Sequence, residues 1–185
     1  MRRRYFLLLA ICAVINLFFS TAAASEKIKD DFVEIELVFQ HESVAPNSNS
    51  AVEIKFSLAE NWYFYADENT APEGMNLRVI PQAEGLSFSE PVFPKGRLYS
   101  DEVTGTKLGV YSGSFSIFIP FAADANSQST QVKVAIEGLS CSRQLCRKAS
   151  YELAKKLDIS TSALMDTPAF SVPCRRCPIG PAPFH

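Results

Sequence analysis

The sequence predicts an all-β protein, folded as an antiparallel sandwich or barrel. Apolar and polar residues alternate with a period of two in several segments, and turn-forming residues separate these segments at short intervals. Segments with helical periodicity are few. Many short strands joined by frequent turns are typical of sandwiches and barrels.

Four segments show the alternation most clearly. Their apolar positions are, in chain order, Val33, Ile35, Leu37 and Phe39; Val52, Ile54, Phe56 and Leu58; Phe115, Ile117, Ile119 and Phe121; and Val132, Val134 and Ile136. Because successive side chains of a strand point to opposite faces, each segment is predicted to be a strand with one buried face. Residues 151–157 fit either a short helix or a final strand.

The N-terminus has the three regions of a secretory signal. Arg2, Arg3 and Arg4 precede an apolar stretch over residues 5–19, and small residues follow up to Ala24. The stretch is shorter than the roughly 20 residues that a membrane-spanning helix needs. We therefore expect residues 1–24 to be a signal peptide cleaved near Ala24, with a retained anchor as the alternative.

Without the signal, about 160 residues remain, enough for one domain with a single core. We expect this domain at residues 25–166 and a loose tail at residues 167–185, where prolines are frequent. The formal net charge is −2, and no run of Lys or Arg follows the signal. This balance argues against nucleic acid or an anionic membrane as a partner.

Four cysteines follow the signal: Cys141, Cys146, Cys174 and Cys177. An even count in an exported protein favours disulfides. In one extended strand the Cα atoms of Cys141 and Cys146 would be about 16 Å apart, whereas a disulfide needs roughly 4.4 to 6.8 Å. A bond between them requires residues 142–145 to turn back, which would place both sulfurs at a sheet end or corner.

Local chemistry leaves three uses of these cysteines open. A structural disulfide closing so short a loop would contribute only about 2 kcal/mol of chain-entropy stabilisation. A redox pair is favoured by Arg143, Arg147 and Lys148, whose positive charge stabilises a thiolate. A zinc site is compatible with the spacing of both pairs, although oxidising surroundings and the proline-rich tail around Cys174 and Cys177 argue against it.

A run of aromatic residues covers positions 62–65. Alternation predicts that Trp62 and Phe64 face one side and that Tyr63 and Tyr65 face the other, with one side in the core. Tyrosines at such positions often only pack at a sheet edge. No Ser/His/Asp set, paired carboxylates or phosphate-binding loop stands out elsewhere.

Three motifs occur together in a characteristic order and spacing. They are Asn61-Trp62-Tyr63-Phe64-Tyr65, then Asp101-Glu102-Val103-Thr104-Gly105, then the strand that leads into Cys141 and Cys146. Together they resemble the N-terminal periplasmic domain of the thiol:disulfide interchange protein DsbD, over roughly residues 30 to 158. The resemblance implies an immunoglobulin-like β-sandwich in the periplasm.

The resemblance also implies a function, that of a thiol:disulfide oxidoreductase module without a cofactor. The cysteine pair would take electrons from a membrane-embedded donor of DsbD type and pass them to thioredoxin-like periplasmic proteins, a supply on which disulfide isomerisation and cytochrome c maturation depend. The alternative is an exported binding or structural sandwich whose disulfide is inert.

By position, the resemblance implies that Cys141 and Cys146 are the redox pair and that Cys146 forms mixed disulfides with partners. Tyr63, Tyr65 and Leu145 would flank the pair. A cap loop that covers the cysteines until a partner displaces it would comprise Asp101, Glu102, Val103, Thr104 and Gly105.

This chain departs from the family pattern at three points. Val103 stands where some members have an aromatic residue, and Arg147-Lys148 stands where many have prolines. The full-length family form continues into a membrane domain and a thioredoxin-like domain, so we expect either a stand-alone carrier or a truncated gene.

Overall fold

A computed structural model describes residues 25–66, 71, 74–100, 105–161, 163 and 168–172. The described residues form twelve strands and no helix. The strands are β1 (Lys27–Lys29), β2 (Val33–Phe39), β3 (Ser43–Val44), β4 (Asn49–Leu58), β5 (Tyr63–Tyr65), β6 (Arg78–Gln82), β7 (Leu86–Phe88), β8 (Arg97–Ser100), β9 (Lys107–Ser112), β10 (Ser114–Ala123), β11 (Thr130–Cys141) and β12 (Cys146–Ile159).

The strands form a five-stranded sheet and a seven-stranded sheet. The smaller has the order β1-β2-β4-β10-β7, and the larger has the order β3-β12-β11-β5-β9-β8. In the larger sheet β6 also pairs with β11. It lies on the same side of β11 as β5 but pairs with an earlier part of β11. Among the described residues the strands pair antiparallel, except for the short parallel pair of β3 and β12. The predicted all-β, immunoglobulin-like antiparallel sandwich is confirmed.

The core lies between the two sheets and includes the apolar positions that alternation identified, of which Phe115 is only partly buried. The strand β2 is buried at every second residue, as period two predicts. Residues 151–157 belong to β12, so this segment is a strand rather than a helix. The largest fully buried side chains are Phe32, Phe39, Phe56, Phe64, Ile35, Leu37, Ile54, Ile117, Ile119, Ile136, Leu153 and Leu157.

One polar position departs from the simple alternation. Glu53 belongs to the polar set of β4, yet it is only 7% exposed. The hydroxyl of Ser116 on the neighbouring strand donates a hydrogen bond of 2.7 Å to its carboxylate, which offsets part of the cost of removing it from water. The outer face of the smaller sheet is therefore not uniformly solvated.

Part of the proline-rich segment contacts this outer face. The backbone N–H of Ala169 donates to the carbonyl of Gln40 at 2.8 Å, and the ring centroids of Phe170 and Phe118 are 5.5 Å apart. Residues 173–185 lie outside the described residues. The domain boundary at residue 166 and the loose tail stay predictions.

A glycine in β11 permits a close approach that matters for the site. Gly138 has a φ of 158°, and a Cβ there would lie 3.2 Å from both the carbonyl oxygen of Asn76 and the Cα of Leu77. Any side chain at this position would press on the backbone between β5 and β6. The connection thus lies directly against β11, three residues before Cys141.

Candidate functional site

A disulfide closes the hairpin between the two longest strands. Cys141 ends β11 and Cys146 begins β12, directly opposite each other in the antiparallel register. Their sulfurs are bonded at 2.06 Å, and their Cα atoms are 4.0 Å apart. Residues 142–145 form the turn that such a bond requires, closed by the N–H of Ser142 donating to the carbonyl of Leu145 at 2.8 Å.

The two cysteines differ in exposure. Cys141 is fully buried, whereas Cys146 is exposed. Cys141 lies between two strand neighbours, Cys146 on β12 and Tyr63 on β5. At Cys146, by contrast, β12 pairs only with β11 within the described part of the chain. The hairpin therefore exposes Cys146 to solvent and keeps Cys141 covered.

A cluster of apolar and aromatic side chains covers Cys141 on the outer face of the larger sheet. Its buried members are Tyr65, Leu108, Val110 and Cys141, and its partly buried members are Tyr63, Ala71, Tyr99 and Leu139. The Tyr63 ring meets that of Tyr65 edge-on, with centroids 5.7 Å apart, and lies 5.2 Å from that of Tyr99.

The hydroxyl of Tyr65 lies 3.9 Å from the sulfur of Cys141. In the disulfide neither sulfur carries a hydrogen, so the Tyr65 hydroxyl is the donor of this contact. After reduction the same hydroxyl can donate to a thiolate at Cys141. That bond would offset part of the desolvation that burial imposes on a negative charge there.

The structure brings Tyr63, Tyr65 and Leu145 next to the cysteine pair. Tyr63 and Tyr65 lie on the face of Cys141, and Phe64 lies in the main core, as alternation predicted. Leu145 immediately precedes Cys146 in the turn and is 47% exposed. An apolar side chain so exposed beside the accessible cysteine is available for contact with another molecule.

The segment predicted to be a cap loop is only partly described. Asp101, Glu102, Val103 and Thr104 lie outside the described residues, and Gly105 is exposed with a φ of 70°. The segment connects β8 to β9. Tyr99 is the penultimate residue of β8, and its ring packs on that of Tyr63. The strand before this connection therefore contacts the cluster that covers Cys141.

The basic residues near the pair do not all face it. The guanidinium of Arg147 lies 3.6 Å from the carboxylate of Asp31 and 5.9 Å from the ring centroid of Phe32. The sequence suggested that Arg147 lies close to the sulfurs, but its side chain points away from them. Successive residues of a strand point to opposite faces, and Arg147 directly follows Cys146. Lys148 shares the outer face with Cys146.

A second contact joins β12 to the same corner of the smaller sheet. The hydroxyl of Tyr151 donates to the carboxylate of Asp30 at 2.8 Å. This hydrogen bond holds the pKa of Asp30 below its usual range. Burial, followed by the bond to Asp30, raises the pKa of Tyr151, so the donor stays protonated at neutral pH.

Sequence reasoning missed several residues around Cys141. Leu139 could have been found, since it lies two positions before Cys141 in the same strand and so shares its face. Tyr99, Leu108 and Val110 come from β8 and β9, and no local signal connects them to a cysteine more than thirty positions later.

The alternative zinc site would use four cysteines, and the structure describes only two of them. Cys174 and Cys177 lie outside the described residues, and Cys141 and Cys146 are bonded to each other. Among the described residues no three His, Cys, Asp or Glu side chains come together as a metal site. Over the same residues, no helix has the length and apolarity that crossing a membrane would require.

The fold and this site define a class: immunoglobulin-like β-sandwiches with a cysteine pair at one end of a sheet. The family model for the N-terminal domain of the thiol:disulfide interchange protein DsbD matches residues 29–158. The chain belongs to this family, and the resemblance noted in the sequence is confirmed.

Three solved structures are similar to this chain. The N-terminal periplasmic domain of ScsB from Proteus mirabilis is 16% identical, with a TM-score of 0.49; the match covers 74% of this chain and 51% of that one, so the chain spans about half of that relative. The reduced DsbD N-terminal domain of Neisseria meningitidis is 17% identical, with a TM-score of 0.35 and coverages of 68% and 83%.

The third is the complex between the DsbD N-terminal and PilB N-terminal domains of Neisseria meningitidis. It is 17% identical, with a TM-score of 0.33, and the match covers 66% of this chain and 80% of that one. No significant match was found among curated protein sequences.

Proposed function

We propose that this protein carries reducing equivalents by thiol–disulfide exchange at Cys141 and Cys146. The observation that carries the proposal is the asymmetry of the disulfide, in which Cys141 is buried and Cys146 is exposed at a turn. Exchange requires one sulfur that a partner can reach and a second that resolves the mixed disulfide. Membership of a thiol:disulfide interchange family supports the same chemistry.

The reduced pair would react in two steps. The thiolate of Cys146 attacks a disulfide of the partner, forms a mixed disulfide and releases one partner sulfur as a thiolate, which takes up a proton from solvent. The thiolate of Cys141 then attacks the sulfur of Cys146 and releases the second partner sulfur. Two electrons pass to the partner, and the pair ends as the observed disulfide.

The neighbouring side chains would support these steps in different ways. The Tyr65 hydroxyl, 3.9 Å from the sulfur of Cys141, would stabilise its thiolate before the second step. Tyr63 pairs with Cys141 and helps to exclude water from it. Leu145 would contact the partner beside Cys146, since it is apolar and exposed.

The family supports a place for this exchange in the periplasm. The donor would be a membrane-embedded protein of DsbD type, and the acceptors would be thioredoxin-like periplasmic proteins. Export would use residues 1–24 as a signal peptide, and the exchanging domain would comprise residues 25–166. No cofactor is part of this proposal, because the two cysteines carry both electrons.

The reduction potential of the pair tests the function. An exchange protein should equilibrate within about −270 to −120 mV, whereas structural disulfides in exported proteins lie below about −300 mV. We expect a value in the exchange range, measured against dithiol buffers with Cys174 and Cys177 replaced by serine. A value below that range would favour the second candidate, a sandwich whose disulfide is an inert staple.

Deleting residues 101–104 should speed the reaction of the reduced pair with a small disulfide reagent severalfold. The strand that precedes these residues carries Tyr99, which packs on Tyr63 and belongs to the cluster that covers Cys141. The rate is measured by stopped flow, with the melting temperature as a control for the fold. An unchanged rate in a folded variant would mean that this segment is not a cap.

A further inference from the structure

We propose that Arg147 is a positioning residue, which holds the exposed Cys146 opposite Cys141 by packing on Phe32. The inference rests on the proposed exchange function and adds a residue to its site. Arg147 is the first residue after Cys146, and its side chain points away from the sulfurs. Its effect is therefore on the backbone that carries Cys146 rather than on the reacting atoms.

The need for such a contact follows from the position of β12. Cys141 has hydrogen-bonded strands on both sides, so its backbone is held independently of the disulfide. Cys146 begins a strand that pairs only with β11 at this end, over the residues that the structure describes. The end of such a strand frays more readily than a strand inside a sheet. Once the disulfide is reduced, Cys146 is held by its pairing with β11 on one side, by the turn and by contacts outside the sheet.

Arg147 supplies a contact to the opposite sheet. Its guanidinium lies over the ring of Phe32, 5.9 Å from the centroid, and 3.6 Å from the carboxylate of Asp31. Phe32 is buried in the main core just before β2, so it provides a rigid surface. A planar guanidinium can stack on an aromatic ring and pair with a carboxylate at the same time.

The contact continues back to the strand beside Cys141. Phe32 stacks on Trp62, with ring centroids 4.5 Å apart and planes at 21°. Trp62 directly precedes Tyr63, which lies opposite Cys141 in the register of the larger sheet. A chain of contacts thus connects Cys146 to the neighbour of Cys141 without passing through the disulfide.

This arrangement should affect the redox equilibrium through the reduced form. In the oxidised form the covalent bond holds the two residues together with or without Arg147. In the reduced form, loss of the contact would let Cys146 sample more conformations. The effective concentration of one sulfur at the other would fall, and the disulfide would become easier to reduce.

The test is the equilibrium of the oxidised protein with dithiothreitol, which yields the protein dithiol and oxidised dithiothreitol. The equilibrium constant for reduction should rise about fivefold in Arg147→Ala, the size expected for an exposed stack with an ion pair. Arg147→Lys should recover part of the difference, since it keeps the charge but loses the planar stack.

A charge effect would have the opposite sign. If Arg147 acted by stabilising the Cys146 thiolate, its removal would disfavour the reduced form, and the constant would fall. Lys148→Ala is the matched control, since it removes a cation one position later, on the face of Cys146. We expect this variant to leave the constant unchanged or to lower it slightly.

The outcomes separate this inference from the proposed function. The positioning role is overturned if the equilibrium constant for reduction of Arg147→Ala equals that of the wild type or lies below it, provided that the oxidised variant melts as a folded protein. The wild-type potential tests the exchange function by itself. Dithiothreitol allows the ratio between variants to be measured even for a strongly reducing pair.

Discussion

The variant Cys141→Ser should capture partner proteins as mixed disulfides, and Cys146→Ser should capture far fewer. Attack on a partner needs an accessible sulfur, and Cys146 is exposed next to the turn, whereas Cys141 is buried beneath Tyr65 and its neighbours. Removing Cys141 takes away the sulfur that would resolve the complex. The intermediate should therefore accumulate instead of turning over.

The measurement is non-reducing electrophoresis of each reduced variant after incubation with an oxidised periplasmic extract. Cys174 and Cys177 are replaced by serine throughout, so that each variant has one reactive thiol after signal removal. Captured species should disappear when dithiothreitol is added, and mass spectrometry should identify thioredoxin-like proteins among them. Equal capture by both variants would contradict the proposed polarity, and no capture by either would favour an inert disulfide.

Phe64→Ala should destabilise the protein by about 3–5 kcal/mol, the range for truncating a buried phenylalanine. Phe64 is fully buried, and its ring meets that of Phe56 edge-on at 6.1 Å across the two sheets. It also lies between Tyr63 and Tyr65 on the short strand β5. The cavity should therefore loosen the strand that covers Cys141.

The free energy of unfolding of the oxidised protein, obtained by denaturant titration, measures this effect. Phe64→Leu is the matched control, with a smaller expected loss of about 1–2 kcal/mol, because it leaves less empty volume. In the reduced proteins, Cys141 should react faster with an alkylating reagent in Phe64→Ala than in Phe64→Leu. Equal stabilities of the two variants would show that β5 does not depend on this ring.

The main strands could be predicted because their signal is local. In β2, β4, β10 and β11 the apolar residues repeat every second position, and this period follows from strand geometry alone. The order of the strands in each sheet could not be predicted in the same way. That β5 and β6 share one side of β11 depends on pairings far apart in sequence, and on Gly138, which lets the connection approach.

The same distinction between local sequence signals and long-range contacts applies to the candidate site. The sequence by itself determined that Cys141 and Cys146 could bond only across a turn, and that Tyr63 and Tyr65 share a face, since both statements need only the spacing of neighbouring residues. Tertiary structure decided that Cys141 is the buried partner, because β5 pairs with one side of it and residues of β8 and β9 help to cover it. It also decided that Arg147 points to Phe32 rather than to the sulfurs, since the aromatic ring and the carboxylate that receive it belong to the other end of the chain.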